Sequence, residues 1–95
     1  MATQKAFNIY LGLNTPQGVV TTQDFLGFLK LVDDVFDSYT VTNAKGRWHG
    51  ENESTKILTV QTTSKSDVVR ISEEYKNIFS QEAVAIQEVS TLELI

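Results

Sequence analysis

The segment from residue 45 to residue 54, KGRWHGENES, concentrates the side chains that could do chemistry. It holds the only Trp and the only His among 95 residues, together with two bases and two acids. A Glu or His can act as a general acid or base, Arg can bind a carboxylate or phosphate bidentately, and Trp can stack on a flat or cationic ligand. The catalytic candidates are therefore Glu51 and His49. The ligand-binding candidates in the same segment are Lys45, Arg47, Trp48, His49 and Glu51.

The same segment also fits a solvated hairpin tip with Trp48 folded back over a sheet. Gly46, Gly50 and Asn52 are turn residues, and β-rich runs flank the segment on both sides. We therefore expect a hairpin with a long or bulged tip. Mixed charges are common at such tips, so the residues alone leave both interpretations open.

Several kinds of site are excluded or disfavoured by the composition. There is no cysteine, which excludes disulfides, zinc–thiolate sites and cysteine nucleophiles. Neither glycine-rich phosphate motif is present, and no histidine–carboxylate spacing indicates a metal. The net charge of −4 disfavours nucleic acid and anionic membranes as partners. We therefore expect no metal, cofactor, nucleic-acid partner or membrane partner.

The N-terminal residues bear on the compartment. They lack the apolar core and cleavage site of a signal peptide, and nowhere do 18 apolar residues follow one another. Together with the absence of cysteine, this favours a cytoplasmic protein.

Two amphipathic segments predict helices. Apolar residues recur every three or four positions between 25 and 36 and again between 68 and 79. Thr21 and Ser64 precede these segments as capping residues, each with an Asp three positions later. Gly27 lies inside the first helix at a cost of about 1 kcal/mol relative to Ala. We therefore expect another element to pack closely against it.

Strand patterns surround these helices. Phe7, Ile9, Leu11 and Leu13 alternate with other residues, which is typical of a half-buried strand, and the segment NTPQG then predicts a turn. The runs TVTNAKGRW and STKILTVQTT predict a second and a third strand. The run EAVAIQEVSTLELI predicts the last strand, with a bulge or break near Glu88.

The order β-α-β-β-α-β predicts one α+β domain over residues 1–95 with a ferredoxin-like fold. In that fold two helices cover one face of a four-stranded antiparallel sheet. Tyr10, Val41 or Ile57 would point to the other face, depending on register, and the chain ends in the apolar TLELI. An uncovered apolar sheet face is usually an interface, so we expect a homo-oligomer. Alternatively, the last residues complete the edge of their own sheet.

The stretch from GRWHGE through TKILTVQTT to EAVAIQEV resembles the trimeric PII-type and CutA-type proteins. Trp48, Gly50, Glu51 and the pair Thr62 and Thr63 follow one another as in the CutA-type family. The resemblance covers roughly the last half of the chain. It implies a PII-like homotrimer, either ligand-binding or regulatory, that binds a small molecule or nucleotide. The site would lie at the subunit interface near the hairpin of residues 45–53.

Two further resemblances are weaker or carry no function. GRWHGE and SQEAVAIQEVSTL resemble small phage enzymes that cleave S-adenosylmethionine, which implies Glu51 as an acid at a subunit interface. GLNTPQGVVTTQDFLGFL and YTVTNAKGRWHGENES resemble a bacterial family of uncharacterised small proteins. The PII-like protein is the favoured hypothesis. The alternatives are the lyase, a dimeric ferredoxin-like monooxygenase, and an accessory protein that binds a host or cellular partner.

Overall fold

Six β-strands and two α-helices form in residues 5–89, the part of the chain that the computed structural model describes. In chain order they are β1 (Lys5–Gly12), β2 (Asn14–Thr15), β3 (Gly18–Val19), α1 (Thr22–Val35), β4 (Tyr39–Trp48), β5 (Glu51–Thr62), α2 (Lys65–Ile78) and β6 (Ala85–Val89).

The main sheet has four antiparallel strands in the order β4, β5, β1, β6. Strands β2 and β3 form a separate short hairpin at the predicted NTPQG turn. The protein is therefore an α+β protein with a four-stranded antiparallel sheet and two helices, which is compatible with a ferredoxin-like fold. The extra hairpin between β1 and α1 means that the order is not a plain βαββαβ. No helix within residues 5–89 is long and apolar enough to cross a membrane.

Both helices begin at the predicted capping residues. The Thr21 hydroxyl accepts a hydrogen bond from the backbone N–H of Asp24 at 3.0 Å, and the Ser64 hydroxyl accepts one from Asp67 at 3.3 Å. Each bond satisfies an N–H group that has no partner inside its helix. The expectation for Gly27 is wrong, since a Cβ at this position would meet nothing within 4 Å. Gly27 lies on the exposed side of α1.

The hydrophobic core lies between the two helices and one face of the sheet. Phe7, Ile9 and Leu11 of β1 point into it, as the alternation predicted. The other buried apolar residues of the core lie between β3 and α1, in the two helices, at the C-cap of α1 and in β5: Val20, Phe25, Phe28, Val32, Phe36, Leu58, Val60, Val68, Ile71 and Tyr75. Val84, just before the last strand, and Ile86 within it also pack against this core.

The opposite face of the sheet is covered by neither helix. Tyr10 and Ile57 form a cross-strand pair there, whereas Val41 pairs with Leu58 on the core side. Most of the other side chains of this face that are longer than Ala are polar. They carry hydroxyl, amide or carboxylate groups: Asn8, Thr40, Thr42, Glu51, Glu53, Thr55, Thr59, Gln61 and Gln87. The face is therefore open, as expected, but it is mainly polar rather than apolar.

Strands β4 and β5 form a long hairpin with a two-residue turn. His49 and Gly50 both have positive φ angles, of 49° and 79°. A type I′ turn requires this combination, and its twist matches that of the flanking strands. Pairing therefore continues up to Trp48 and Glu51. The predicted long or bulged tip is wrong, because most of the segment is strand.

The last strand is regular as far as it is described. Glu88 pairs with Phe7 and Val89 with Ala6, without an inserted residue. The break expected near Glu88 is therefore absent through Val89. The terminal TLELI, on which part of the oligomer prediction depends, lies outside the described residues.

Candidate functional site

A cleft of about 540 Å³ opens on the uncovered face of the sheet. It lies where the β4–β5 hairpin, the β2–β3 hairpin and the loop between α2 and β6 meet. Tyr10 and Gly12 of β1, with Thr55 and Ile57 of β5, form its floor. Clefts of roughly 300–1,000 Å³ are typical of small-molecule sites, so this one has the size for an organic ligand.

The loop that forms one wall is positioned by the end of α2. Ser80 adopts a positive φ of 51°, and the backbone N–H of Gln81 donates to the carbonyl of Lys76 at 2.9 Å. This is the Schellman pattern that ends a helix, with Ser in the position where Gly is commonest. The Gln81 side chain then donates to the carbonyl of Asn14 at 2.8 Å, which ties the loop to the β2–β3 hairpin.

Trp48 forms part of the opposite wall. Its indole Nε1–H donates to Oε2 of Glu82 at 3.3 Å, and Nε2 of His49 lies 3.4 Å from the same oxygen. The Trp48 indole and the His49 imidazole meet edge to face, with their centroids 4.7 Å apart. Glu82 therefore connects the loop to the hairpin tip. Trp48 remains 51% exposed, so it offers aromatic surface at the cleft.

Glu53 is the half-buried carboxylate of the cleft. Its Oε2 accepts the backbone N–H of Asn14 at 3.2 Å. The carboxylate lies directly over Gly12, where a Cβ would come within 2.6–2.7 Å of its three terminal atoms. Glycine at position 12 therefore leaves the space that the Glu53 carboxylate occupies.

Tyr75 holds Gly12 from the core side. Its hydroxyl donates to the Gly12 carbonyl at 2.5 Å, and its ring is fully buried. Burial, and to a smaller extent the negative charge of Glu53, raise the pKa of Tyr75 well above its ordinary value near 10. The phenol therefore stays neutral and remains a hydrogen-bond donor. Gly12 is fixed between this phenol and the carboxylate on the cleft side.

A family model matches nearly the whole chain. Residues 6–92 fit the family described as "Protein of unknown function (DUF3574)". The chain belongs to the DUF3574 family. No curated protein and no solved structure matches it. All the cleft residues lie within the matched range, so the cleft is built from the family's own segment of this DUF3574 protein.

The predicted site residues of the DUF3574 chain are divided between two faces. Trp48 and Glu51 are cross-strand partners at the cleft. Lys45 and Arg47 border the cleft, but alternation along β4 directs their side chains to the opposite face. His49 lies in the turn and does not line the cleft. The structure therefore brings Trp48 and Glu51 together at the cleft and leaves His49 in contact with Trp48 in the turn. It directs the side chains of Lys45 and Arg47 to the other face.

The sequence interpretation missed Glu53 and Glu82 as site residues, along with Gly12, Tyr10 and Gln81. The signal for Glu53 was the two-residue turn, because a residue two positions from Glu51 on a strand shares its face. Glu82 and Gln81 gave no local signal, since their positions depend on where α2 ends.

The charge of the cleft is negative. Glu51, Glu53 and Glu82 line it, and within residues 5–89 only Lys45 and Arg47 bring positive charge to its border. No group of three or more His, Asp or Glu in this part of the chain is arranged to hold a metal ion. The carboxylates are therefore spread around the cleft rather than gathered at one point.

Proposed function

We propose that this DUF3574 protein binds a small organic molecule in the open-face cleft, as a ligand-binding or regulatory protein. The observation that carries the proposal is the cleft itself. It has the volume of a ligand site, an exposed indole in its wall, apolar side chains such as Ile57 in its floor, and a few convergent polar groups. This combination of concave shape, aromatic surface and sparse polar groups is typical of small-molecule sites.

The walls of the cleft are linked before any ligand arrives. Glu82 joins the α2–β6 loop to the β4–β5 hairpin, and Gln81 joins the same loop to the β2–β3 hairpin. A site whose walls are already held together loses less conformational entropy when a ligand binds. This supports binding by a largely pre-formed cleft.

We also propose that copies of the chain associate, and that the assembly is a PII-like trimer built on a ferredoxin-like fold. The support is that the face carrying the cleft is uncovered, with Tyr10 and Ile57 near its centre. Its many hydroxyl and amide groups favour an interface with bridging water rather than a dry apolar one. A neighbouring copy on this face would lie beside the cleft.

Light scattering coupled to size-exclusion chromatography tests the assembly. A trimer gives three times the chain mass of 10.6 kDa. A monodisperse monomer at working concentration would contradict the oligomer and would leave the cleft proposal standing.

A thermal-shift screen of amines, nucleotides and S-adenosylmethionine tests the cleft. A ligand at a hundred times its Kd stabilises the native state by about 2.7 kcal/mol. We expect Trp48→Ala to remove the shift, because it removes the aromatic wall. Leu26→Ala is the matched control, since Leu26 is similarly exposed (55%) but lies on α1. Shifts that survive in Trp48→Ala would show that the ligand binds elsewhere.

One observation favours a second candidate, an S-adenosylmethionine lyase. Glu51 lies directly across from Trp48 at the cleft, so an acid and an aromatic surface are adjacent. Breakdown of S-adenosylmethionine by the purified protein, followed chromatographically, tests this. Glu51→Gln should abolish turnover and Glu74→Gln, an exposed helix position, should not. Equal turnover in both variants would exclude the proposed role of Glu51.

A further inference from the structure

We infer that the cleft selects small organic cations and that Glu53 is the group that binds the positive charge. The inference rests on the proposed function, because it names the ligand class for the same cleft. It concerns ammonium-type ligands with an apolar or aromatic body.

The negative charge of the cleft follows from which side chains of the β4–β5 hairpin face it. Trp48 and Glu51 face the cleft, and Glu53, two positions further along β5, faces it as well. Lys45 and Arg47 point to the other side of the sheet. A cleft lined by one sign of charge attracts ligands of the opposite sign and repels like charge. Anionic ligands are therefore disfavoured.

Glu53 is the best placed of the three carboxylates. Glu82 already accepts the indole N–H of Trp48, and Glu51 is exposed beside the turn. Glu53 is half-buried, and none of the ion pairs found within residues 5–89 involves it. Among the described residues its carboxylate accepts one hydrogen bond, from the backbone N–H of Asn14 to Oε2, whereas a carboxylate has about four acceptor positions. An ammonium group can use those that remain, in short charge-assisted hydrogen bonds.

The rest of the cleft suits the body of such a ligand. Trp is the aromatic side chain that attracts cations most strongly through its ring face, and Trp48 is half exposed here. Tyr10 and Ile57 supply ring and aliphatic surface on the floor. The three carboxylates do not form a metal-binding group among the described residues, which points to an organic cation rather than a bare metal ion.

Three matched probes test the inference: 2-phenylethylamine, 2-phenylethanol and phenylacetate. They share one body and carry a positive, a neutral and a negative head. The chain has a single Trp, so one indole N–H resonance in a ¹⁵N spectrum reports the cleft. We expect the amine to move this resonance with an affinity at least about tenfold higher than the alcohol, and phenylacetate not to move it.

Variants then test the role of Glu53. Glu53→Gln keeps the shape and an acceptor for Asn14, and should weaken amine binding about tenfold without changing alcohol binding. Glu74→Gln makes the same change in net charge outside the cleft and should leave both affinities unchanged. Equal amine affinity in the two variants would overturn the role of Glu53.

The outcomes separate this inference from the proposed function. If the alcohol or the acid binds as tightly as the amine, cation selection is wrong and the cleft is still a ligand site. If no probe moves the indole resonance at tens of millimolar, cation selection is also wrong, and the wider thermal-shift screen decides whether the cleft binds anything.

Discussion

Replacing Gly12 by Ala tests whether the position of Glu53 sets the properties of the cleft. The new Cβ would lie 2.6–2.7 Å from the carboxylate atoms of Glu53, whereas ordinary van der Waals contacts begin at 3.4 Å. The carboxylate must therefore retreat by about 0.8 Å or more. It can do so because it is the end of a flexible side chain, but the movement breaks its 3.2 Å bond to Asn14.

The expected effect on stability is small. Losing one exposed hydrogen bond costs about 1 kcal/mol. Ala in place of Gly in a strand recovers about 0.5–1 kcal/mol, because the unfolded chain has fewer conformations to lose. The free energy of unfolding of Gly12→Ala should therefore stay within about 1 kcal/mol of the native value. Binding of 2-phenylethylamine should instead weaken about tenfold, since the carboxylate no longer reaches the ammonium group.

Urea unfolding and titration of the Trp48 indole resonance measure the two quantities separately. Gly46→Ala is the control, because its Cβ also faces the cleft but meets the Thr55 hydroxyl at 3.2 Å and no atom of the Glu53 side chain. If amine binding were as weak in Gly46→Ala as in Gly12→Ala, the reasoning would be refuted. Any methyl group added at the cleft would then weaken binding, whether or not it displaced the Glu53 carboxylate. A decrease of more than about 3 kcal/mol in the free energy of unfolding of Gly12→Ala would show that the Glu53 carboxylate cannot move away from the added Cβ.

Three further predictions concern stability. Because the pKa of Tyr75 is raised in the folded state, its neutral phenol contributes stability that is complete below about pH 10 and is lost above it, by up to about 1.4 kcal/mol per pH unit. Urea unfolding from pH 9 to 11 should therefore show a shallower decline for Tyr75→Phe than for the native protein, and parallel declines would contradict this. Gly27→Ala should raise the free energy of unfolding by up to about 1 kcal/mol, because nothing obstructs its Cβ; an unchanged or lower urea midpoint would count against it. Thr21→Ala should cost about 1 kcal/mol through the lost cap, with an unchanged dependence on urea concentration, and Thr21→Ser should restore most of it.

Most of the fold could be predicted because its causes are local. Alternation along β1 identified the core-facing Phe7, Ile9 and Leu11, and hydroxyl residues marked both helix starts. These features depend on residues within a few positions of one another. The extra β2–β3 hairpin was predicted only as a turn, since two-residue strands leave no periodic signal.

The site was less predictable because it depends on contacts between distant residues. Gly12 and Glu53 are 41 positions apart in the chain and meet only through the register of β1 against β5. Glu82 reaches Trp48 because Ser80, two residues after the end of α2, adopts a left-handed conformation. A Gly at this position would have given a clearer signal in the sequence. Gly27 shows the opposite error: a glycine in a helix was interpreted as close packing, although its surroundings are open.

The turn at His49 and Gly50 determines which charges the cleft presents. Side chains alternate along a strand, so shifting the register by one residue moves every side chain to the other face. With a two-residue turn, the acids and Trp48 of the hairpin share the cleft, and Arg47 lies on the reverse side. A one-residue bulge in β4 between Val41 and Arg47 would turn that guanidinium toward the cleft and favour phosphate-bearing ligands. The expectation of a nucleotide ligand needs Arg47 at the cleft. Once the two-residue turn is known, the segment of residues 45–54 indicates an organic cation as the ligand instead.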